Sequence, residues 1–228
     1  MNINKLYTAI ISVALATMFV LERKVDKSPV EQKVVELHMV MNNPSMPERL
    51  NKRGKIVTLP FGTATCSGAF IDGTGDIITA RHCVNGFASI EVQTYDRRKY
   101  DAVVITTSAV HDLALIHIDR QNTSFFSLAD NVVRGEKIAI LGSPLGVTDV
   151  LSTGMVARLD GDLTLLDCAA LPGNSGGPVF NQDHKLVGVV VAGFIVGLGT
   201  THLNIAQSLD NVRFFLRQAL RKKNDILG

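Results

Sequence analysis

From about residue 55 the chain is punctuated. Short runs rich in Val, Ile, Leu and Thr recur about every ten residues, at 69–71, 76–79, 88–92, 102–106, 113–118, 137–141, 163–166 and 186–192, separated by Gly, Asp, Asn or Pro. Such runs are too short for helices, and β-branched side chains favour extended backbone. A parallel α/β sheet would need helical crossovers between the strands, and none intervenes. The pattern predicts an all-β barrel or sandwich. The chain has 228 residues, 46% of them hydrophobic, enough for one domain with a sizeable core plus an N-terminal extension.

The two ends differ from this middle. At 208–221 the apolar residues Leu209, Val212, Phe215, Leu216 and Leu220 fall at helical spacing, with Asp210 near the start, which predicts a closing amphipathic helix. Arg217, Arg221, Lys222 and Lys223 are read as its solvent face and C-terminal cations; a net charge of +2 gives no argument for nucleic acid as a partner. Residues 6–21 form an apolar run broken by Tyr7, Thr8, Ser12 and Thr17 and ended by Glu22-Arg23-Lys24. As a helix it would span roughly 24 Å, slightly short of a bilayer core. Residues 1–24 are therefore expected to be an apolar helix that is a signal anchor or a signal peptide, with Ala14-Leu15-Ala16 resembling a cleavage site. Lys5 on one side and Arg23, Lys24 and Lys27 on the other leave the orientation open. Val30, Val34, Val35, Leu37, Met39 and Met41 show loose helical periodicity before Asn42-Asn43-Pro44 and Pro47. Residues 25–53 are accordingly read as a linker with a short helix, 54–222 as the main domain and 223–228 as a tail.

Three phrases carry chemistry: Thr79-Ala80-Arg81-His82-Cys83, His111-Asp112-Leu113-Ala114-Leu115-Ile116 and Gly173-Asn174-Ser175-Gly176-Gly177-Pro178. A serine hydroxyl is a weak nucleophile and needs an adjacent base, and the base needs a group that fixes its tautomer. The glycines around Ser175 permit a tight turn and close approach of a substrate carbonyl. Such a turn, Gly173-Asn174-Ser175, can aim the amides of Gly173 and Ser175 at one point as an oxyanion hole. His82 follows an apolar strand and is the candidate base. Asp112 opens another, where a carboxylate must be hydrogen-bonded to be tolerated. His111 is a rival base, ranked lower because neighbouring strand residues face opposite ways. The bland alternatives are a Gly-Ser turn without chemistry and a surface histidine.

The order His82, Asp112, Ser175 within these phrases resembles the chymotrypsin-fold (trypsin-like) serine proteases. Cys66-Ser67-Gly68-Ala69-Phe70-Ile71, Gly75-Asp76-Ile77-Ile78-Thr79, the 139–146 phrase AILGSPLG and 167–177 are closer to the bacterial HtrA/Deg branch. The resemblance covers about residues 55–218. It implies two six-stranded antiparallel β-barrels with the site in the cleft between them, His82 and Asp112 from the first barrel and Ser175 from the second. It also implies a Cys66–Cys83 disulfide, the alternative being two buried thiols, and hence an oxidising, non-cytoplasmic compartment. It places Ala169 at the base of the specificity pocket and Val191, Ala192 and Gly193 on one wall. None of these is charged, so an apolar residue is expected before the scissile bond. Cys168 is left over, as a small core residue near the pocket. No metal spacing is present and no cofactor is required.

The chain departs from the HtrA pattern in stopping about a helix beyond the barrel, without the PDZ domain those proteins carry, and in a short interval from Asp112 to Ser175. Asn174 stands where trypsin-like zymogens have an Asp, so activation by a new N-terminus is not available. The expectation is a membrane-tethered serine endopeptidase acting on polypeptides. The alternatives are a catalytically silent protease-fold binding module, or a viral or phage maturation protease with few sites.

Overall fold

The structure, a computed structural model, describes residues 29–40, 49–50, 56–57, 63–196 and 199–227. The apolar helix expected within residues 1–24 lies outside these. Among the described residues no helix is long and apolar enough to cross a membrane.

The first half is a rolled antiparallel sheet. Its strands are β1 (Val34–Val40), β4 (Thr63–Phe70), β5 (Asp76–Ala80), β6 (Ser89–Thr94), β7 (Lys99–Asp101), β8 (Val103–Ser108) and β9 (Leu113–His117). A separate two-stranded ribbon joins β2 (Arg49–Leu50) to β3 (Ile56–Val57). The large sheet runs β7-β6-β1-β4-β5-β9-β8. It is thus seven-stranded where a closed six-stranded barrel was expected. Its two outer strands, β7 and β8, are separated in the chain by Ala102 alone, so the sheet curls back on itself through the chain and not through a ladder.

The second half is a closed six-stranded barrel, β10 (Lys137–Gly142), β11 (Val150–Asp160), β12 (Leu163–Asp167), β15 (Gly199–Gln207), β14 (Leu186–Val196) and β13 (Pro178–Asn181), in that ring order. The chain ends in helix α1 (Leu209–Leu227). Ser208 caps it, its Oγ accepting the Asn211 N–H at 3.3 Å.

Period-2 alternation sorts the core. In β5, Ile77 faces the interior of the first sheet with Leu37, Phe70 and Ile116, whereas Ile78 faces outward. In β9, Ala114 and Ile116 face in, and Leu113 and Leu115 face out. Those outward residues are also buried, because they meet Leu141, Phe180 and Val189 of the second barrel and Val212, Phe215 and Leu216 of α1. Each such Leu, Ile or Phe contributes about 1.5–3 kcal/mol of transfer free energy. The second barrel fills itself with Ile140, Val156, Leu166, Val179, Val187 and Val190.

Two expectations at the ends are corrected. Residues 34–40 are not a linker helix but a central strand, β1, paired with β4 on one side and β6 on the other; a 3-10 turn at Glu31–Lys33 precedes it. Val35, Leu37 and Met39 face the core of the first sheet while Glu36 and His38 alternate with them, a period-2 pattern that the loose helical spacing masks. The main domain therefore begins about twenty residues before position 54. Nor is Lys223 part of a solvated tail. Its Nζ donates to both carboxylate oxygens of Asp76, at 2.6 and 2.7 Å, and His117 Nδ1 lies 2.7 Å from Oδ1. Asp76 is fully buried, and a buried carboxylate needs such partners.

Candidate active site

The base half of the site is built on two strand ends. β5 delivers the chain into a 3-10 turn, Arg81–Cys83, and β9 begins just after Asp112; β5 and β9 pair with Ala80 opposite Leu113. Three hydrogen bonds then fix Asp112 against the turn. Its carbonyl accepts from Arg81 N–H at 2.9 Å and Oδ1 accepts from His82 N–H at 3.0 Å. Oδ2 lies 2.6 Å from His82 Nδ1. An ionised carboxylate can only accept, so Nδ1 carries the proton and Nε2 is left as the basic atom. Asp112 adopts φ +48°, a left-handed conformation that Asp tolerates better than most residues. The rival His111 is engaged elsewhere: its Nδ1 is 3.3 Å from Ser108 Oγ and its ring meets Phe214 edge-on.

A disulfide joins Cys66 of β4 to Cys83, the residue after His82. The donor atoms of Cys66, His82 and Cys83 lie within 4.8 Å of one another, but the S–S bond removes the thiolates that a metal would bind.

The serine half is a succession of turns. Leu171-Pro172-Gly173-Asn174 closes through Asn174 N–H to Leu171 O at 2.9 Å, with Gly173 at φ +105°. Proline second and glycine third, with positive φ at the third, are the marks of a type II turn. The Pro172 carbonyl accepts from Leu145 N–H at 2.7 Å. In a trans peptide the C=O and N–H point opposite ways, so this bond turns the Gly173 N–H away from Leu145. Among the described residues neither the Gly173 nor the Ser175 N–H donates to a protein acceptor. Asn174 does not belong with them as a donor, because its N–H closes the turn. Its side chain is buried instead, with Oδ1 unpartnered beside Gly142.

The serine turn is clamped between the barrels. Gly176 N–H donates to Val190 O at 2.7 Å and Val190 N–H to Gly177 O at 3.0 Å, tying it to β14. Ser67 N–H donates to Ser175 O at 2.8 Å, tying it to β4. A Cβ on Gly176 (φ +80°) would fall 2.1 Å from Thr79 Oγ1 and 2.8 Å from Ala80 N, so only glycine lets the turn approach the strand that carries His82. The Ser175 carbonyl is 3.6 Å from Cys83 Sγ. The Ser175 backbone thus lies beside the turn that carries His82.

The residues expected to line a specificity pocket are partly gathered. Gly193 of β14 lies opposite Asn204 of β15, and Asn204 Nδ2 donates to the carbonyl of Cys168, next to Ala169. Ala169 and Ala192 are exposed. Val191 departs from the expected wall: it sits at a register shift between Val190 and Ala192, and its side chain packs on the core of the first sheet. A bulge re-aims one side chain in this way. Cys168 is buried in the second barrel, and burial, with the Asp167 charge, pushes its thiol up to about 11. Ser67, Leu145 and Asn204 were not singled out from sequence. Their partners lie far along the chain, and no local pattern marks them.

Residues 66–189, more than half of the chain, match the trypsin-like peptidase domain. A probable periplasmic serine endoprotease, DegP-like, from Marinomonas sp. is 32% identical over 133 residues, covering 54% of this chain and 28% of the relative. The chloroplastic protease Do-like 1 of Arabidopsis thaliana is 25% identical over 73% of this chain and 41% of its own length. The chain spans about a third of the length of the curated relatives it matches. In fold it is similar to the HtrA-type protease AlgW, with a TM-score of 0.70 at 21% identity over 85% of this chain and 66% of that one. With both halves of its cleft and this match to residues 66–189, the chain belongs to the trypsin-like peptidase domain family.

Proposed function

We propose that the protein is a serine endopeptidase working through His82, Asp112 and Ser175. The observation that carries this reading is the oriented pair. Asp112 holds the His82 tautomer beside a serine turn whose Gly173 and Ser175 N–H groups have no protein acceptor among the described residues. Nε2 of His82 takes the Ser175 proton as Oγ attacks the peptide carbonyl. The Gly173 and Ser175 N–H groups receive the oxyanion, and His82 then gives the proton to the leaving amine. Water, deprotonated by His82, hydrolyses the acyl-enzyme by the same steps in reverse. Asp112 stays ionised and stabilises the imidazolium.

The substrate is a polypeptide lying extended along β14, with a small or medium apolar residue before the scissile bond. The uncharged Ala169, Ala192 and Gly193 support this preference, since a Lys or Arg would be desolvated without a counter-ion. The Cys66–Cys83 bond and the periplasmic DegP-like relatives favour a compartment outside the cytoplasm. In this reading residues 6–21 tether the domain to a membrane.

The test is a fluorophosphonate probe and unfolded casein, each given to the parent and to Ser175→Ala. Labelling and cleavage by the parent alone are expected. A folded parent that neither labels nor cleaves overturns the reading in favour of a silent binding module.

A further inference from the structure

We propose that Ser67 is a positioning residue for the oxyanion hole, a hydroxyl lent by the first barrel to hold the turn of the second in its working conformation. The inference rests on the reading of Ser175 as nucleophile.

Ser67 is fully buried in β4, next to the disulfide-bonded Cys66. All of its polar atoms are used, and three of its four bonds go to the serine half of the site. Its N–H donates to the Ser175 carbonyl at 2.8 Å. Its Oγ–H donates to the Gly173 carbonyl at 2.8 Å, and the same Oγ accepts from Ser143 N–H at 3.0 Å. Its carbonyl accepts from Thr79 Oγ1 at 2.8 Å. Three glycines let the second barrel come this close. A Cβ on Gly142 would stand 2.8 Å from Ser67 Oγ, one on Gly176 2.4 Å from Ser67 O, and one on Gly177 3.2 Å from Ser67 Cβ.

The need for such a strut follows from Gly173 itself. Glycine makes the type II turn possible because it accepts positive φ, but it also makes rotation of the flanking peptides easy. The Asn174 N–H to Leu171 O bond closes the turn, and the carbonyls of both flanking peptides are held from outside it. Leu145 N–H holds the carbonyl before Gly173, and Ser67 Oγ holds the carbonyl after it. The two struts are themselves connected. Ser143, whose N–H is bound by Ser67, enters the 3-10 turn Pro144–Gly146 that carries Leu145. One hydroxyl therefore fixes the turn directly and its second support indirectly. Only a short side chain with one donor and free lone pairs can do both: alanine does neither.

Gly173 N–H acts on charge that develops in the transition state, so misplacing it lowers kcat with little effect on KM. The full chain carrying Ser67→Ala is compared with the parent on a peptide anilide with Val before the cleaved bond, and on a peptide boronate whose tetrahedral adduct places an oxygen in the hole. Active-site titration counts competent molecules. The expected result is a fall of about 10–100-fold in kcat per titrated site, KM within about twofold, and boronate affinity weakened by a similar factor. Gly142→Ala, whose Cβ would stand 2.6 Å from Asn174 Oδ1 and 2.8 Å from Ser67 Oγ, presses on the hydroxyl and on the turn it holds together; it is expected to give the same kcat-specific loss, and it is the second variant if Ser67→Ala does not fold. Unchanged kcat per site in a folded variant overturns the inference, as does a loss confined to the number of competent molecules. A parent unreactive with both anilide and boronate overturns the proposed function and this inference with it.

Discussion

The two halves of the cleft are held in different ways. In the rolled first sheet the base assembly is self-contained. Asp112 binds the turn of His82 through two backbone bonds and one side-chain bond, and a covalent bridge pins the next residue to β4. In the second barrel the serine turn is a run of glycines. Two internal bonds, Asn174 N–H to Leu171 O and Gly177 N–H to Asn174 O, shape it, and its other supports come from outside: Ser67 of the first sheet, Leu145 of a neighbouring loop and Val190 of β14. The difference follows the chemistry. A base needs one fixed tautomer, which a short local network supplies. An oxyanion hole needs backbone N–H groups left unpaired, and a segment with unpaired amides cannot stabilise itself. It is held through the carbonyls of Pro172, Gly173, Ser175 and Gly177 and through the remaining amides of Asn174, Gly176 and Gly177.

The largest effect that could break this contrast is on the base side. Asp112→Asn should leave the fold intact but favour the wrong imidazole tautomer, costing about 10⁴ in kcat, or roughly 5 kcal/mol of barrier. A loss below tenfold in steady-state hydrolysis would mean that His82 does not depend on Asp112. Next is the join between the halves. Lys223→Met leaves Asp76 buried with His117 alone, and should cost about 3–5 kcal/mol by chemical denaturation. The surviving folded molecules should keep their turnover, because no bond of the site passes through α1. The disulfide comes third. Replacing Cys66 and Cys83 by Ser should cost about 3 kcal/mol for a loop of this length, read as a lowered Tm. If the base half is self-contained through hydrogen bonds, turnover per titrated site should change little; a large drop would make the bridge part of the catalytic geometry.

The smallest effect is a control remote from the seam. Burial alone would raise the Asp96 carboxyl, but hydrogen bonds from Arg120 and Thr94 outweigh it and hold it down to about 2. With an unfolded value near about 3.9, the folded state binds fewer protons there. The contribution, about 1–2 kcal/mol, is thus complete above pH ~4 and lost as pH falls toward 2. The stability gap between the parent and Asp96→Asn should close over that window without a change in turnover at neutral pH.

The sequence announced what local pattern encodes. Turn-bounded runs such as 76–79 and 113–118 became β5 and β9, and the spacing 209, 212, 215, 216 became the buried face of α1. His82, Asp112 and Ser175, the residues of the proposed triad, stood out because each lies in a phrase that structure alone does not require. β1 was misread: Val35, Leu37 and Met39 alternate with Glu36 and His38 at period 2, but Val30, Val34, Leu37 and Met41 also fall at helical spacing, and over so short a run the two periods compete. Lys223 was hidden in a basic run whose other members, Arg221 and Lys222, are indeed solvated. Ser67 stood in the phrase Cys66–Ile71 that carried the family resemblance, with no role of its own. Its meaning lies in bonds to residues 76 and 106 positions away, and no single-sequence pattern carries information over that distance.

That separation of 106 residues between Ser67 and Gly173 also sets a clock. Contacts between distant segments form only after the loop-closure entropy of the intervening chain has been overcome, so they tend to come late in folding. The oxyanion turn can be held only when both barrels exist and have met. During refolding, fluorophosphonate labelling should therefore lag behind the far-UV circular dichroism signal of the strands. If the proposed triad is the catalytic one, a nascent or partly unfolded chain carries all three side chains and no hydrolytic power, and its neighbours are safe from it while they, too, are unfolded.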